Sequence, residues 1–375
     1  MKCRHCSQAL HECRDLFVDL GTAPPSNAFL RRDDLPRGQM HLPLKVFTCP
    51  RCWLVQVDEI ERHDALFNDD YVYHSSYSSS WLAHAQAYVQ QVVPALKLGP
   101  HSLVMELASN DGYLLQYMLR QGVPCVGIEP TEGTAQVARR RGIESIGEFF
   151  GLDFARRFAA ERRRADLIVA NNVLAHVPDI NDFVAGMAAV LAPGGAVSVE
   201  FPHLLQLVQQ GQFDTIYHEH FSYLSLGTVQ RIFAARGLTL WDVEPLPTHG
   251  GSLRVWAQHA AHPRPVTRRV EELLAAEAGA GMRGRAFYQG FQARCEAVKH
   301  QLLAFLIEQK RAGKCVAGYG AAAKSTPCST LPAFAPTCCP MWWMPRRTSR
   351  GAGCRVRASP CWAWTTCGSS GPTSS

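Results

Sequence analysis

The chain has 375 residues, of which 47% are hydrophobic and 19% are charged, so it is large enough for two or three domains with apolar cores. No apolar stretch is long enough to span a bilayer, and the N-terminus lacks a signal-peptide pattern, which excludes a membrane protein and favours a cytoplasmic one. The formal net charge is +6, but five of those charges are arginines beyond residue 324, so the basic balance does not indicate a nucleic-acid partner.

Two cysteine knuckles are the first feature along the chain. Fourteen cysteines are many for a reducing compartment, and those at motif spacing are better explained as metal ligands. Thiolates on two C-x-x-C turns form a closed tetrahedral site for a structural zinc ion: Cys3, Cys6, Cys49 and Cys52. Cys13 and His5 fit the spacing less well, and four buried thiols without metal are the alternative. The long gap between the knuckles predicts a small zinc-binding β domain over residues 1–65.

A hydroxyl-rich connector, assigned to residues 66–97, follows this domain. Residues 70–81 are rich in tyrosine and serine and lead into a predicted helix over 81–96. They form either a serine-rich loop that caps this helix or a lid that offers hydroxyls to a polar substrate, and the pattern favours neither. In the second case Tyr71 and Ser75 are candidate substrate ligands.

Residues 103–118 are the most informative stretch. A short apolar run leads to an acidic residue, small and polar residues follow, and an apolar helical pattern comes next, which predicts a strand, a tight turn and a helix. Such a turn lets backbone amides approach a ligand closely. The spacing is not G-x-G-x-x-G, so a dinucleotide is not favoured, and an ordinary turn is the alternative. The stretch resembles motif I of class I S-adenosylmethionine (SAM) methyltransferases. Its candidate cofactor ligands are Glu106, Ala108, Ser109, Asn110 and Asp111.

Further strands extend this pattern into a sheet. A second strand ends in Glu129, about twenty residues after the turn, where a Rossmann-like sheet places the ligand of the ribose hydroxyls. A third buried strand reaches Asn171, another candidate cofactor ligand, and residues 191–200 form a turn and one more strand. His176 follows the third strand, at the carboxyl edge where doubly wound sheets bind ligands. Alternating strands and helices predict a parallel α/β sheet in a central domain over 66–259.

The segment Y-H-E-H-F-S-Y, residues 217–223, has the densest group of titratable side chains. His218 and His220 are two residues apart, so the H-E-x-x-H pattern of zinc proteases is excluded. In an extended segment the two histidines face one way, unless the backbone turns, and three side chains face the other: Tyr217, Glu219 and Tyr223. A polar surface loop is the alternative interpretation.

Together these motifs resemble the sugar C-methyltransferases, which methylate C-3 of nucleotide-linked 4-keto-deoxysugars. That family has a zinc domain with paired knuckles, a tyrosine- and serine-rich connector, a SAM domain with S-N-D-G-Y-L-L and Y-H-E-H-F-S-Y segments, and a C-terminal domain that opens with G-Y-G-A-A-A-K. Besides the cysteines, the matching segments here are 71–80, 109–115, 217–223 and 318–324. The resemblance implies a C-terminal α/β domain that begins within 260–324 and binds the nucleotide-sugar.

The resemblance also implies a mechanism in which SAM methylates a carbon acidified by a neighbouring ketone. By position in the family motif, His220 is the general base that generates an enolate. Glu219 orients a histidine or contacts the sugar. Tyr217 and His176 donate hydrogen bonds near the ketone or the sugar hydroxyls. The chemistry needs no metal.

Other residues are implied in substrate binding. Tyr223 is a candidate ligand of the sugar, and residues 248–254 resemble a further family segment that lines the pocket. The glycine-rich turn at 318–324 suits a phosphate, with Lys324 as its counter-charge. The expected partner is a small-molecule nucleotide-sugar, dTDP-linked, and the protein is expected to be a monomer.

The chain changes character after Lys324. Residues 325–375 hold six cysteines, four tryptophans and five arginines but no acid, lysine or histidine, and neither strand nor helix periodicity persists. The codons of Met341-Trp342-Trp343-Met344 must read ATGTGGTGGATG, and a shift of two bases gives Val-Val-Asp, which Pro345 forces to continue as Ala. With G/C-rich codons the same frame reads as a strand, a loop and a strand. We therefore predict a frameshift between Lys324 and about Leu331, an incomplete C-terminal α/β domain and an out-of-frame tail. An unusual natural tail is the alternative.

Two other functions stay open on the sequence. One is a SAM methyltransferase of the same three-part build that acts on another carbon or on oxygen. The other is a zinc- and SAM-binding protein that its truncated C-terminal domain has inactivated.

Overall fold

The computed structural model describes residues 1–25, 40–58, 74–314 and 316, together with the backbone of 318–319, 342–343 and 356–357. The predictions on Tyr71, on Lys324 and on most of the tail lie outside the described residues. Within those ranges no helix combines the length and the apolarity that crossing a lipid bilayer requires.

The predicted N-terminal β domain is a four-stranded antiparallel sheet. Its first three strands are β1 (Leu16–Ala23), β2 (Leu42–Thr48) and β3 (Val55–Val57), paired in chain order. The fourth is β9 (Ser222–Tyr223), which pairs with β3 in the register Val55 to Tyr223. The sheet of this domain is thus completed by a strand that lies far along the chain, inside the segment 217–223.

The central sheet has seven strands in the spatial order β10-β11-β8-β7-β4-β5-β6. Its members are β4 (Val104–Leu107), β5 (Cys125–Ile128), β6 (Glu144–Ile146), β7 (Ala165–Asn171), β8 (Leu191–Pro202), β10 (Leu238–Leu246) and β11 (Ser252–His259). The sheet is mixed, because β11 runs antiparallel to both of its neighbours. The expectation of a parallel sheet is therefore correct from β8 to β6 and wrong for β11. The reason is the short β10–β11 connection, since a hairpin can join only antiparallel strands.

The position of the site follows from the strand order. The chain runs outward from β4 through β5 to β6, then returns to β7 on the other side of β4 and continues to β8. This reversal between β4 and β7 opens a crevice at the carboxyl ends of the strands, which is where open α/β sheets bind ligands.

Except for α1 (Glu12–Asp15), whose one buried residue is Asp15, the helices that cover the sheets bury apolar side chains against the cores. These helices are α2 (Ser79–Ala95), α3 (Leu115–Arg120), α4 (Glu132–Arg140), α5 (Leu152–Glu161), α6 (Ile180–Val190), α7 (Leu204–Gln210), α8 (Leu226–Ala234), α9 (Arg268–Gly279), α10 (Arg285–Tyr288) and α11 (Phe291–Arg311). Single 3₁₀ turns occur at Ser75–Tyr77, Leu174–His176, Phe213–Thr215 and Thr248–Gly250. The predicted cap of α2 is present, because Ser78 Oγ accepts a hydrogen bond from the Trp81 amide at 3.2 Å.

The N-terminal domain and the central domain share their cores. Cys3, Cys49 and Leu54 belong to the same cluster of buried side chains as Ile168 and Val199 of the central sheet. A second cluster joins the N-terminal sheet to α7 and α11, where the rings of Phe17 and Phe291 stack at 4.6 Å. The two domains therefore cannot separate without exposing apolar surface.

Beyond α11 the described backbone contains three two-residue strands. They are β12 (Gly318–Tyr319), β13 (Trp342–Trp343) and β14 (Val356–Arg357). β12 pairs in parallel with β13, and β13 pairs antiparallel with β14. The tail thus contributes two short strands, although its sequence shows no strand periodicity.

Candidate active site

The turn after β4 is shaped by left-handed backbone conformations. φ is 52° at Ala108, 51° at Asn110 and 76° at Gly112. A Cβ on Gly112 would lie 2.2 Å from the end of the Ile143 side chain, and together with the positive φ this favours glycine there. The turn brings Ser109 and Asn110 to the ends of the neighbouring strands, and the Ser109 amide donates to the carbonyl oxygen of Ile128 at 3.2 Å.

Glu129 lies directly after β5, facing this turn. Its carboxylate accepts hydrogen bonds from the amides of Asn110 and Thr131, both at 2.9 Å. Burial raises the pKa of Glu129, and these two amides oppose that effect. The side chains of Thr131 and Thr134 also hydrogen-bond to this carboxylate and oppose the rise in its pKa. The structure therefore places Glu129 where the sequence predicted the ribose ligand, and the contact itself stays a prediction.

Buried polar atoms without partners converge at the crevice. Glu106 is 1% exposed, and neither of its carboxylate oxygens accepts a hydrogen bond of normal geometry from the described residues. Burial raises the pKa of Glu106 well above its ordinary value, although the Tyr113 hydroxyl partly offsets this. Asn171 donates to the same hydroxyl at 3.3 Å, while its own Oδ1 has no partner in the described part of the chain. Buried polar groups are normally satisfied, so this set fits a polar, cationic ligand such as SAM.

The connector packs on the cofactor turn. The Ser75 amide donates to Asn110 Oδ1 at 2.9 Å, and the Ser76 hydroxyl donates to the Asp111 carboxylate. Arg141 adds a hydrogen bond to the backbone oxygen of Asp111 at 2.7 Å. Ser75 thus contacts the predicted SAM turn through its backbone, and its role as a substrate ligand stays a prediction. The segment behaves as a cover for the turn as well as a helix cap.

His220 has the geometry of a neutral imidazole with one defined basic nitrogen. Its Nδ1 lies 2.8 Å from the carbonyl oxygen of Thr215, which can only accept, so Nδ1 carries the proton. Nε2 therefore carries the lone pair and accepts a hydrogen bond from the Tyr217 hydroxyl at 2.8 Å. Burial, followed by the neighbouring His176, lowers the pKa of His220 well below its ordinary value. His220 is half-buried among these neighbours.

His176 lies against His220 in an edge-to-face arrangement. The ring centroids are 4.6 Å apart with an interplanar angle of 67°. Burial lowers the pKa of His176 to about 4, although a hydrogen bond with the backbone of Glu219 opposes this. The ring of Tyr223 is 6.1 Å from that of His220. The structure thus brings together three of the four predicted catalytic side chains, with Tyr223 beside them.

The backbone turns within 217–223, which is the exception that the expected alternation allowed. The His220 amide donates to the carbonyl oxygen of Tyr217 at 3.0 Å, which brings these two side chains to the same side. His218 points elsewhere, toward the N-terminal sheet, where its Nε2 donates to the Pro43 carbonyl oxygen at 3.1 Å. Glu219 is 3% exposed and contributes its backbone to His176, and the role predicted for its side chain stays a prediction.

Another buried carboxylate, Glu200, was not predicted as part of the site. Glu200 in β8 is fully buried and accepts hydrogen bonds from His84 at 2.8 Å and from Arg254 and Thr248 at 2.9 Å. Burial acts to raise the pKa of Glu200, but these partners outweigh it and lower the value. Its position in a predicted strand was readable from the sequence. Its partners were not, because they come from α2 and from the β10–β11 hairpin.

The hairpin connection presents one further side chain to this region. His249 has a left-handed backbone, φ 54°, and its ring lies edge-on to Trp81 at 5.6 Å. Its proximity contributes to the lowered pKa values of His176 and His220. This placement agrees with the expectation that residues 248–254 line the pocket.

The thiols of the two knuckles converge as predicted. The four Sγ atoms lie within 4.8 Å of one another, with Cys3 to Cys52 at 3.4 Å and Cys6 to Cys49 at 3.5 Å. Four thiolates bound to zinc at about 2.3 Å would lie about 3.8 Å apart, so small adjustments complete a tetrahedral site. The competing residues are elsewhere: Cys13 is exposed, and His5 donates to Asn181 Oδ1 at 2.9 Å. With four cysteine ligands, a zinc ion at this site would have no open coordination position for a substrate.

Comparison with known families matches three consecutive parts of the chain. A zinc binding domain model covers residues 3–67, a methyltransferase domain model covers 81–243, and a C-methyltransferase C-terminal domain model covers 247–331. The last match ends at the position where the sequence predicts the loss of the reading frame.

Individual relatives agree with these matches. The chain is 36% identical to C-methyltransferase NovU from Streptomyces niveus over 325 residues, which is 87% of this chain and 76% of that protein. A ubiquinone biosynthesis O-methyltransferase from Bordetella avium is 29% identical over 96 residues, 25% of this chain and 40% of that protein. Among solved structures, magnesium protoporphyrin IX methyltransferase from Synechocystis aligns with a TM-score of 0.35 and 15% identity over 48% of this chain and 80% of that one.

Proposed function

The chain belongs to the C-methyltransferase family, and on that premise we propose that it methylates C-3 of a dTDP-linked 4-keto-deoxysugar through an enolate. Family membership makes it a SAM-dependent C-methyltransferase with a zinc-binding N-terminal domain. What we propose beyond family membership is the identity of the methylated carbon, of the sugar and of the nucleotide.

The arrangement of His220 is the observation that carries it. Methylation at carbon needs a base that removes a proton from a C–H bond, and a ketone next to that carbon makes the proton acidic. Because its pKa is lowered, His220 is neutral near pH 7, and its basic Nε2 has the Tyr217 hydroxyl beside it. Methylation of a hydroxyl group needs no hydrogen-bond donor for an enolate oxygen. The pairing of a basic nitrogen on His220 with the Tyr217 phenol therefore supports a carbon acceptor.

The proposed steps balance with these residues alone. When bound, SAM supplies an electrophilic methyl group on a positively charged sulfur. Nε2 of His220 takes the C-3 proton, and the electron pair moves onto the C-4 oxygen as an enolate. The Tyr217 hydroxyl, which has to turn away from Nε2 before that nitrogen can accept the proton, donates to the enolate oxygen. C-3 then forms its bond to the methyl carbon while the carbon–sulfur bond breaks, and the proton on His220 passes to solvent.

The nucleotide end of the substrate belongs to the C-terminal domain. Its glycine-rich turn at 318–324 lies mostly outside the described residues. Two observations support the proposed loss of frame: the family match ends at residue 331, and α11 leaves one apolar face in solvent. Val298, Leu302 and Phe305, spaced as one helical stripe, are 48%, 39% and 49% exposed. We expect the missing part of the domain to cover this stripe.

The test is a two-stage assay with a dTDP-linked 4-keto-deoxysugar. Without added SAM, the protein and a frame-restored version should both wash deuterium from D₂O into C-3, with the restored version needing less substrate. With SAM, the product should gain one methyl group on C-3, located by NMR.

Two variants sharpen this assay. His220→Asn should abolish the exchange while SAM still binds, and His218→Asn, whose ring faces the N-terminal sheet, is the matched control. A methyl group on oxygen, or undiminished exchange in His220→Asn, would refute the proposed carbon chemistry or its base.

A further inference from the structure

The first cysteine knuckle reaches both halves of the catalytic histidine pair. His176 and His220 come from separate loops, one after β7 and one before β9, and each loop contacts residues 3–6. No motif in the sequence predicted this, since the knuckle was assigned only to metal binding.

Arg4, which lies between two zinc ligands, makes most of these contacts. Its Nη1 donates to the carbonyl oxygen of Pro178 at 3.2 Å, two residues after His176. Its guanidinium lies 4.9 Å from the ring centroid of Phe221, the residue after His220. Its Nη2 donates to the Val57 carbonyl oxygen at 3.3 Å, and the Val57 amide donates to the Phe221 carbonyl oxygen at 3.2 Å.

The backbone of the same knuckle makes a second set of hydrogen bonds near the loop that carries His176. Asn181 Nδ2 donates to the carbonyl oxygens of Arg4 and His5 at 3.0 and 2.9 Å, and the His5 ring donates back to Asn181 Oδ1. Asn181 is in the first turn of α6, which begins just after the His176 loop. Hydrogen bonds thus join the knuckle to the loop that carries His176. The guanidinium of Arg4, packed on the buried ring of Phe221, joins it to the loop that carries His220.

We propose that Arg4 is a positioning residue that holds His176 and His220 in their edge-to-face arrangement, and that the zinc-bound knuckle is the support from which it acts. A planar, five-donor guanidinium is suited to this because it can bond two carbonyls and stack on Phe221 at once, which an ammonium cannot. The zinc site would then be structural for the active site as well as for the N-terminal sheet. The inference rests on the proposed function only for the roles given to the two histidines.

The test compares Arg4→Met and Arg4→Lys with Arg51→Met. Arg51 is also an arginine inside a knuckle, the second one, and its side chain is exposed. The first measurement does not involve a sugar: the imidazole Cε1 chemical shifts of His176 and His220, in protein labelled at histidine, alongside zinc content and SAM affinity. We expect Arg4→Met to keep about one zinc per chain and wild-type SAM affinity but to shift both histidine signals, and Arg51→Met to shift neither. Removal of zinc by a chelator should shift the same two signals.

The second measurement is the rate of C-3 exchange. We expect Arg4→Met to lower its kcat on the order of 10- to 100-fold, the cost of a displacement of about 1 Å, with little change in KM. Arg4→Lys, which keeps the positive charge, should have a kcat between those of the wild type and Arg4→Met. If Arg4→Met fails to fold, the same histidine shifts and kcat loss in Arg4→Lys decide the matter. Wild-type histidine shifts in the folded Arg4 variants would overturn the proposal, whereas absent exchange in the wild-type protein would refute the proposed substrate and leave the histidine result standing.

Discussion

Substitution of Glu106 by glutamine should make the protein more stable and bind SAM less well. The carboxylate is buried at the carboxyl end of β4 and accepts no hydrogen bond of normal geometry from the described residues, with Asp111 and Glu129 as further acids nearby. Glutamine keeps the size of the side chain and removes its ionisation. Without ligand, the wild-type protein bears the cost of keeping this buried carboxyl protonated, and with SAM its carboxylate form would gain a cationic partner.

The magnitude can be worked from the raised pKa. A carboxyl whose pKa in the folded state exceeds the unfolded value, about 4.3, stabilises the fold fully below that value, and this stabilisation is lost as pH rises through the folded pKa. Within that window the free energy of unfolding of the wild type should fall by up to about 1.4 kcal/mol per pH unit relative to Glu106→Gln. Loss of a hydrogen bond to a charged group should weaken SAM binding by about 1.5–3 kcal/mol, roughly 10- to 150-fold in Kd.

The assay is urea unfolding between pH 5 and pH 8, with SAM titration by calorimetry at pH 7.5. Glu161→Gln, an exposed carboxylate at the end of α5, controls for the loss of one negative charge. Stability curves of Glu106→Gln and wild type that run parallel across this range would refute the raised pKa of Glu106. Equal SAM affinity would remove Glu106 from the cofactor site.

Three further predictions follow from the sites described above. A Cys49→Ser/Cys52→Ser variant should lose the zinc ion, about one per chain by metal analysis of the parent protein, and unchanged metal content would reject the four-thiolate site. Glu129→Ala should weaken SAM binding by about 1–3 kcal/mol in calorimetry, since it removes a charged acceptor of ribose hydroxyls, and wild-type affinity would reject that contact. Restoring the reading frame after Lys324 should raise both the melting temperature and the affinity for dTDP, because each aliphatic side chain that becomes buried contributes roughly 1.5–3 kcal/mol. Equal nucleotide affinity in the two chains would indicate that the tail is genuine or that the C-terminal domain is not needed for binding.

Local spacing was sufficient for the parts of the site that a short segment builds. The turn after β4, the acid at Glu129 and the four cysteines were predictable, because a strand, a tight turn and a helix fix their own geometry. The direction of β11 was harder to predict from the sequence. This strand is the second arm of the β10–β11 hairpin, and its place in the sheet depends on its pairing with the distant β8.

The geometry of segment 217–223 could not be predicted from the sequence. An extended chain separates Tyr217 from His220, and one backbone hydrogen bond across the turn unites them. Glu200 and Arg4 were missed for another reason: their partners lie between 48 positions (Glu200 to Thr248) and 217 positions (Arg4 to Phe221) away in the chain. Contacts at such separations leave no periodic trace that a single sequence can reveal.

The pairing of β3 with β9 has a consequence for how this protein is made on the ribosome. The N-terminal sheet can form β1, β2 and β3 as soon as they emerge, but the partner of β3 is not yet synthesised. At roughly 5–20 residues per second, this edge waits on the order of 10 to 30 seconds for residues 222–223. An open strand edge invites pairing with other chains, so this interval is the period of greatest aggregation risk. Yield in cells should therefore respond to translation speed between residues 58 and 223, even for variants whose finished structures are equally stable.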